Sequence, residues 1–259
     1  MNPFITPDVS VIIPTFNRNE LLKFGLQSLS KQVSTFSREF IILNEYVDDE
    51  SKQLAEQFNA RYILTRPNKT KESISWRCPG VAINHGVKQA RGKYIIIACP
   101  EIYHLQNNTI ENLITPLVTN DKLVTYTKGI DDTGNFLNSL RANFQENMLY
   151  MTAGNRELNT KFPFFLAMCK SAFESVGGYC LDFQAGYCFD DTSFCRRLEN
   201  SGFIFTQVTG TIVHIHHPRL RYNLPETTRL WKINEALYLA RYQDKVANVG
   251  REWGLLDAS

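Results

Sequence analysis

The sequence predicts an α/β protein built on a doubly wound, mostly parallel sheet with helices on both faces. Three observations carry that expectation. Strand-like runs recur over residues 8–13, 39–43 and 94–98, and the last is apolar without alternation, as a strand buried on both faces is. Helical spacing of apolar residues fills the intervals, as at Leu21, Leu22, Leu26 and Leu29. The runs stop abruptly at polar turns, and in open α/β sheets ligands sit beyond the carboxyl ends of strands.

Residues 8–13 form the expected first strand, ended by Pro14 and Thr15. Phe16-Asn17-Arg18-Asn19-Glu20 then enters a helix that Asn17 or Asn19 caps. Strand, polar turn and helix start make a ready site for an anion or nucleotide, because unpaired backbone N–H groups face the turn. Residues 39–43 are the second strand, followed by the acidic stretch 44–51. A helix over 52–58, a strand over 61–64 and a polar loop over 66–80 come next. A helix over 81–89 ends before Arg91-Gly92, where glycine suits a helix stop. The strand over 94–98 follows.

Beyond it the pattern predicts a helix over 109–118, a strand over 123–128 and a hairpin turn at Asp131-Asp132-Thr133-Gly134. Residues 135–160 carry no clear period and read as a mobile loop or as short helices. Residues 162–169 are apolar, 171–176 read as helix, and Gly177-Gly178 turns into a polar-aromatic loop that reaches Asp190-Asp191. A helix over 192–201 and strand-like runs over 203–208 and 211–215 complete a domain spanning 1–220. A long helix from 225 to 242 dominates an extension over 221–259. Its stripe of Leu230, Ile233, Leu237 and Ala240, with Trp231, Tyr238 and Tyr242 beside it, is expected to pack on its own domain.

With 259 residues, 43% of them hydrophobic and 21% charged, the chain has the composition of a globular domain able to bury a large core. A net charge of +2 gives no reason to expect a nucleic-acid partner. The first residues lack the charged and apolar regions of a signal peptide, and no apolar run reaches the ~20 residues that span a bilayer. A cytoplasmic protein is expected, with peripheral contact at the inner face of a membrane left open. Cys78, Cys99, Cys169, Cys180, Cys188 and Cys195 form no CxxC pair, so free thiols are expected.

Two places carry candidate chemistry. Glu101 and His104 stand just past the strand over 94–98, where they hold a divalent cation on a diphosphate or, in the plainer alternative, fill a turn that Pro100 opens. Asp190-Asp191 is either an acid–base pair or a helix start, where carboxylates favour the dipole anyway. His214, His216 and His217, three imidazoles in four positions after a strand end, favour a site over chance.

With these segments placed, the sequence resembles the family-2 glycosyltransferases of the GT-A fold over roughly residues 8–220. Val11-Ile12-Ile13-Pro14-Thr15-Phe16-Asn17-Arg18 is similar to the family's opening strand and nucleotide turn. Asn84-His85-Gly86 with Ala90-Arg91-Gly92-Lys93-Tyr94-Ile95 resembles its Asn-x-Gly…Ala-x-Gly-Glu-Tyr-Ile signature. Gly177-Gly178-Tyr179 and Phe189-Asp190-Asp191 through Arg197-Leu198 resemble its Gly-Gly-Tyr…Glu-Asp-x-Asp-Leu…Arg-Leu region, and His214-Ile215-His216-His217-Pro218 a His-x-x-His-Pro pattern.

The resemblance implies a nucleotide-diphosphate-sugar donor, most simply a UDP sugar, a divalent cation and inversion at the anomeric carbon. It places the general base on Asp191 with Asp190 beside it. It implies donor contacts from Pro14, Thr15, Asn17, Arg18, Asn44, Glu45, Asn84, Cys99 and Pro100, with Arg66 and Arg77 as phosphate-contact candidates or mere surface ion-pair partners. The family's Asp-x-Asp is replaced here by Cys99-Pro100-Glu101, a variant with Pro-Glu-x-x-His. Glu101 keeps an oxygen ligand, and His104, His214 or His217 is expected to complete the set, which suits Mn²⁺ better than Mg²⁺. The expected acceptor is a glycan, a lipid-linked saccharide or a surface polysaccharide. Tyr179, Phe183, Tyr187 and Phe189 stack on a sugar ring or fill the core. The rivals are a sugar-phosphate nucleotidyltransferase, which would show a glycine-rich loop after the first strand, and a catalytically impaired nucleotide-sugar or glycan binding protein.

Overall fold

A computed structural model describes residues 6–66, 78–218 and 224–256. The first half alternates strand and helix: β1 (Val9–Thr15), α1 (Asn19–Ser30), β2 (Arg38–Asn44), α2 (Asp49–Gln57), β3 (Arg61–Leu64), α3 (Gly80–Gln89) and β4 (Tyr94–Ala98). Then come β5 (Ile102–His104), α4 (Thr109–Thr119), β6 (Leu123–Asp131), α5 (Asn135–Arg141), α6 (Glu146–Thr152) and β7 (Glu157–Leu158). The chain continues through β8 (Phe165–Cys169), α7 (Lys170–Ser175), a 3₁₀ turn (Leu181–Ala185), α8 (Asp190–Asn200), β9 (Ile204–His214) and α9 (Pro225–Ala240).

Among the described residues, nine strands make one sheet in the order β3-β2-β1-β4-β8-β6-β9-β5, with β7 on β6. The β3-β2-β1-β4 half is parallel throughout. All of β1 and β4 is buried, Ser10 and Thr15 of β1 included, as strands covered on both faces are. The other half is mixed, because β8 enters antiparallel between β4 and β6, and β5 runs antiparallel to β9. Helices cover the sheet, and one core cluster runs from Val9 through Ile96 and Phe165 to Phe203.

The signature residues around Gly92 are structural. Buried Glu39 on β2 accepts from Ser10 Oγ, from the Arg91 backbone N–H and from the Arg91 and Arg61 guanidinium groups. That network ties the start of β4 to β1, β2 and β3. A Cβ on Gly92 would sit 2.7 Å from the Ser10 backbone nitrogen, so no other residue fits there without displacing a strand.

Several local expectations change. Arg18, not Asn17 or Asn19, is the residue at the N-cap of α1, and it makes no side-chain capping bond. Asn19 instead donates to Asp48 and Glu50, and Asp48 caps α2, which starts at Asp49. Asp131-Asp132 is no hairpin turn. Asp131 ends β6, while the Asp132 carboxylate accepts the N–H groups of Gly134, Phe136 and Leu137 and so starts α5. The two strand-like runs over 203–215 are one strand, β9, irregular where Thr127 pairs with Val208 but Lys128 with Thr211. The skipped Gly210 has φ +141°, which explains its glycine. α8 begins at Asp190, two residues earlier than the pattern predicts.

Candidate functional site

β5 and β9 bring the first group together. Ile102 pairs with His214, so Glu101, one residue before β5, faces the end of β9. Its backbone carbonyl accepts the Ile215 N–H at 2.8 Å, which locks the two segments in register. Glu101 Oε1 lies 3.6 Å from His214 Nε2 and 3.2 Å from His217 Nε2. One ligand atom from each of the three residues falls within 4.8 Å of the others. Burial alone would raise the Glu101 carboxyl, but the His214 and His217 imidazoles beside it outweigh that and hold the group well below the usual carboxylate range.

On the far side of His214, Nδ1 lies 3.2 Å from buried Asp131 Oδ1, and Arg156 Nε stands 3.6 Å from the other Asp131 oxygen. A carboxylate only accepts, so His214 Nδ1 carries its proton toward Asp131 and Nε2 is left with a lone pair aimed at another carboxylate. His217 Nε2 is likewise buried without a well-directed hydrogen bond. One carboxylate oxygen and two imidazole nitrogens, one of them oriented by an outer carboxylate, fit a divalent transition-metal ion.

A cavity of about 570 Å³ adjoins this group. Asn17 and Arg18 from the β1–α1 turn line one side, and Leu137 and Arg141 of α5 with His216 and His217 line the other. Asn17 takes φ +52°, a left-handed turn that asparagine tolerates. Arg141 closes the wall through a two-pronged ion pair with Glu20. Pro14 and Thr15 end β1 opposite Leu43 and Asn44, and the Thr15 hydroxyl is buried without a partner. Beside them Asn44 accepts the Glu45 N–H, and Arg66 reaches from Glu45, at 4.0 Å, to Gln184 in the 3₁₀ turn.

The acid pair stands at the start of α8. The Tyr179 hydroxyl donates to Asp191 Oδ1 at 2.9 Å, and the Tyr179 ring stacks on Phe194 at 4.5 Å. Burial pushes both carboxyls above their ordinary range. Asp190 rises further because the Asp191 charge adds to its burial, and its Oδ2 has no hydrogen-bond partner. Asp191 is the more exposed of the two. The turn before them is strained, since Cys188 and Phe189 take φ +62° and +66° in succession.

Four residues expected at the site have other contacts. His104 does not join Glu101, His214 and His217. Its ring packs edge-on against Phe165 at 4.4 Å, and burial pushes its pKa down to about 3. Asn84 is fully buried and spends its amide on the Tyr179 backbone, accepting at 2.7 Å and donating at 2.9 Å. It shapes the Gly177-Gly178 turn instead of facing a donor. Cys99 directs its thiol to the Pro163 carbonyl, and Pro100 is buried against Gly25 of α1. Arg77 lies outside the described residues. Of the aromatic candidates, Tyr179 and Phe183 are core, and Phe189 packs on Trp231 and Tyr238 of α9. Sequence reasoning missed Asp131, whose only local signal is a carboxylate doublet at a strand end, and the hydroxyl of Tyr179 as the partner of Asp191.

Comparison with known proteins then bears on this geometry. The sequence pattern of glycosyl transferase family 2 matches residues 10–176. A mannosyltransferase, PcManGT from Pyrobaculum calidifontis, solved with GDP-Man and Mn²⁺, superposes with a TM-score of 0.56 at 15% identity, over 93% of this chain and 64% of its own. S. aureus TarS residues 1–349, solved with UDP-GlcNAc, gives 0.64 at 14% identity, over 94% and 69%. GalNAc-T7, solved with UDP, GalNAc and Mn²⁺, gives 0.61 at 12% identity, over 92% and 50%. At these identities the likeness is one of fold, the mixed α/β arrangement of GT-A glycosyltransferases. The chain spans 64% of the mannosyltransferase and half of GalNAc-T7.

Proposed function

The chain belongs to glycosyl transferase family 2, and from that premise we propose that it moves a sugar from a nucleotide-diphosphate sugar to a hydroxyl of a saccharide or lipid-linked saccharide, with inversion. UDP is the proposed nucleotide. The observation that carries the reading is the meeting of Glu101, His214 and His217 beside the cavity under the β1–α1 turn.

Glu101, His214 and His217 would hold a divalent cation, Mn²⁺ before Mg²⁺, which when bound neutralises the leaving diphosphate. Asn17 and Arg18 face the same cavity and bind the nucleotide side of the donor. Arg66, held near Glu45 and Gln184, supplies further positive charge. Asp191 takes the proton from the acceptor hydroxyl as its oxygen attacks the anomeric carbon. A base with a raised pKa suits neutral pH, and Asp190, raised further, keeps its own proton and spares the pair a second negative charge.

Residues 1–220 are assigned to the transferase domain and 221–259 to a helical extension. No helix among the described residues is long and apolar enough to cross a membrane. The reaction is placed in the cytoplasm, at the inner membrane face when the acceptor is lipid-linked. The deciding experiment is a panel of UDP and GDP sugars scored by thermal shift with and without Mn²⁺, then by donor hydrolysis. A melting point raised by one nucleotide sugar only with Mn²⁺ present, and slow hydrolysis of that donor, are expected. No shift and no turnover across the panel would overturn the assignment.

A further inference from the structure

The acid pair is held by a helix that follows it by more than thirty residues. Asn234 on α9 is fully buried. Its Nδ2 donates to the Phe183 carbonyl at 2.9 Å and to the Cys188 carbonyl at 2.7 Å. Both partners are acceptors, so the amide orientation is fixed by them. Its Oδ1 lies against Gly186, where any Cβ would collide with it. The neighbouring Tyr187 N–H donates to the Leu230 carbonyl on the same helix at 3.1 Å.

These contacts bracket the strained residues. Cys188 and Phe189 are consecutive non-glycine residues in the left-handed region, and Asp190 follows at once. Such a pair persists only where its surroundings impose it. Here Asn234 takes the carbonyl of Cys188, and Trp231 and Tyr238 hold the Phe189 ring at 5.1 and 5.4 Å. The other end of the same loop carries Gln184, the partner of Arg66. One amide therefore fixes the turn that presents the base.

We propose that Asn234 is a positioning residue for the transfer reaction, clamping the 183–189 loop so that the left-handed Cys188–Phe189 turn aims Asp191 at the acceptor hydroxyl. This rests on the reading of Asp191 as the base. Wild type, Asn234→Ala, Cys188→Gly and the double variant are compared by hydrolysis of the donor that the nucleotide-sugar panel selects. Hydrogen–deuterium exchange of the 183–191 amides is followed in each.

Asn234→Ala is expected to lower kcat at least tenfold with donor KM within twofold, and to speed exchange in that loop while β1 and β4 stay protected. Cys188→Gly, which adopts the left-handed turn without strain, is expected to restore at least threefold of the loss in the double variant. A purely structural role would give no such rescue. If Asn234→Ala does not fold, Asn234→Ser, which keeps one donor, takes its place with the same expected direction. An unimpaired Asn234 variant, or a double variant no faster than the single, overturns the proposal and leaves the function standing. A wild-type protein that hydrolyses no donor removes the function and this proposal together.

Discussion

Asp190 and Asp191 are chemically identical side chains made unequal by their surroundings. Asp191 keeps solvent access and a hydrogen bond from Tyr179, while Asp190 is buried with one oxygen unpartnered. Asp191→Asn is expected to reduce transfer by about 10²–10⁴-fold with donor-induced thermal shift retained; equal loss of both would assign it to binding instead. Asp190 gives a stability prediction of definite sign. Its native pKa is raised, first by burial and then by the Asp191 charge, so the native state holds more protons than the unfolded one above the ordinary carboxylate value. Stability therefore falls as pH rises through that window. Asp190→Asn removes the cost, so its melting point should exceed wild type at pH 7 and the gain should vanish by about pH 4. A gain that does not change with pH would contradict the burial account. Asp131 acts through His214, and Asp131→Asn should weaken Mn²⁺ binding about 10–100-fold, as read by electron paramagnetic resonance of the free ion.

At the scale of elements, α1 and the Cys99–Glu101 turn are built around one small residue. A Cβ on Gly25 would lie 2.5 Å from the Pro100 carbonyl and 3.1 Å from that of Ile102. Gly25→Ala must push the helix away from the turn that carries Glu101. Overpacking of this kind costs about 1–3 kcal/mol, a drop of several degrees in melting point for a domain of this size. Mn²⁺ affinity should fall with it, and a destabilised variant with unchanged affinity would show that the turn holds Glu101 without α1. The sequence made the parallel half legible because β1, β2 and β4 each centre on a run of buried apolar residues, Val11–Ile13, Phe40–Leu43 and Ile95–Ala98. It did not disclose β5, only three residues long, and it left open where α5 begins, because that start depends on the Asp132 side chain. The mixed half was hidden for a different reason. Antiparallel insertion of β8 is a choice of neighbour, and an apolar run of five looks alike in either direction. Glu101, His214 and His217 could be named from motif order, whereas Asp131 lies 83 positions from its histidine with no pattern linking them.

At the scale of the molecule, the question is whether the C-terminal residues are an appendage or part of the fold that holds the site. After α9 the chain returns to the Gly177–Tyr179 turn. The Ala247 N–H donates to the Val176 carbonyl, and Asn248 donates to the carbonyls of Gly177 and Tyr179 while accepting the Leu181 N–H. Gly177 has φ +71° and no room for a Cβ against the Ala247 carbonyl, so turn and tail fit only each other. Trp253 then packs on Phe173 at 5.8 Å and lies under the Lys88 ammonium at 3.9 Å. The turn so braced is the one that Asn84 grips from the other side and that presents Tyr179 to Asp191. Cutting the chain after Gln243 would strip hydrogen bonds worth about 0.5–1.5 kcal/mol each and leave buried carbonyls unpaired at about 1–3 kcal/mol each. Against a total stability of about 5–15 kcal/mol, that is a large share. The truncated protein should melt at least ~10 °C lower than the full chain and lose Asp191-dependent turnover even where it remains folded. An unchanged melting point would make residues 244–259 a separable tail, and the acid pair would then owe its geometry to α9 and the sheet without them.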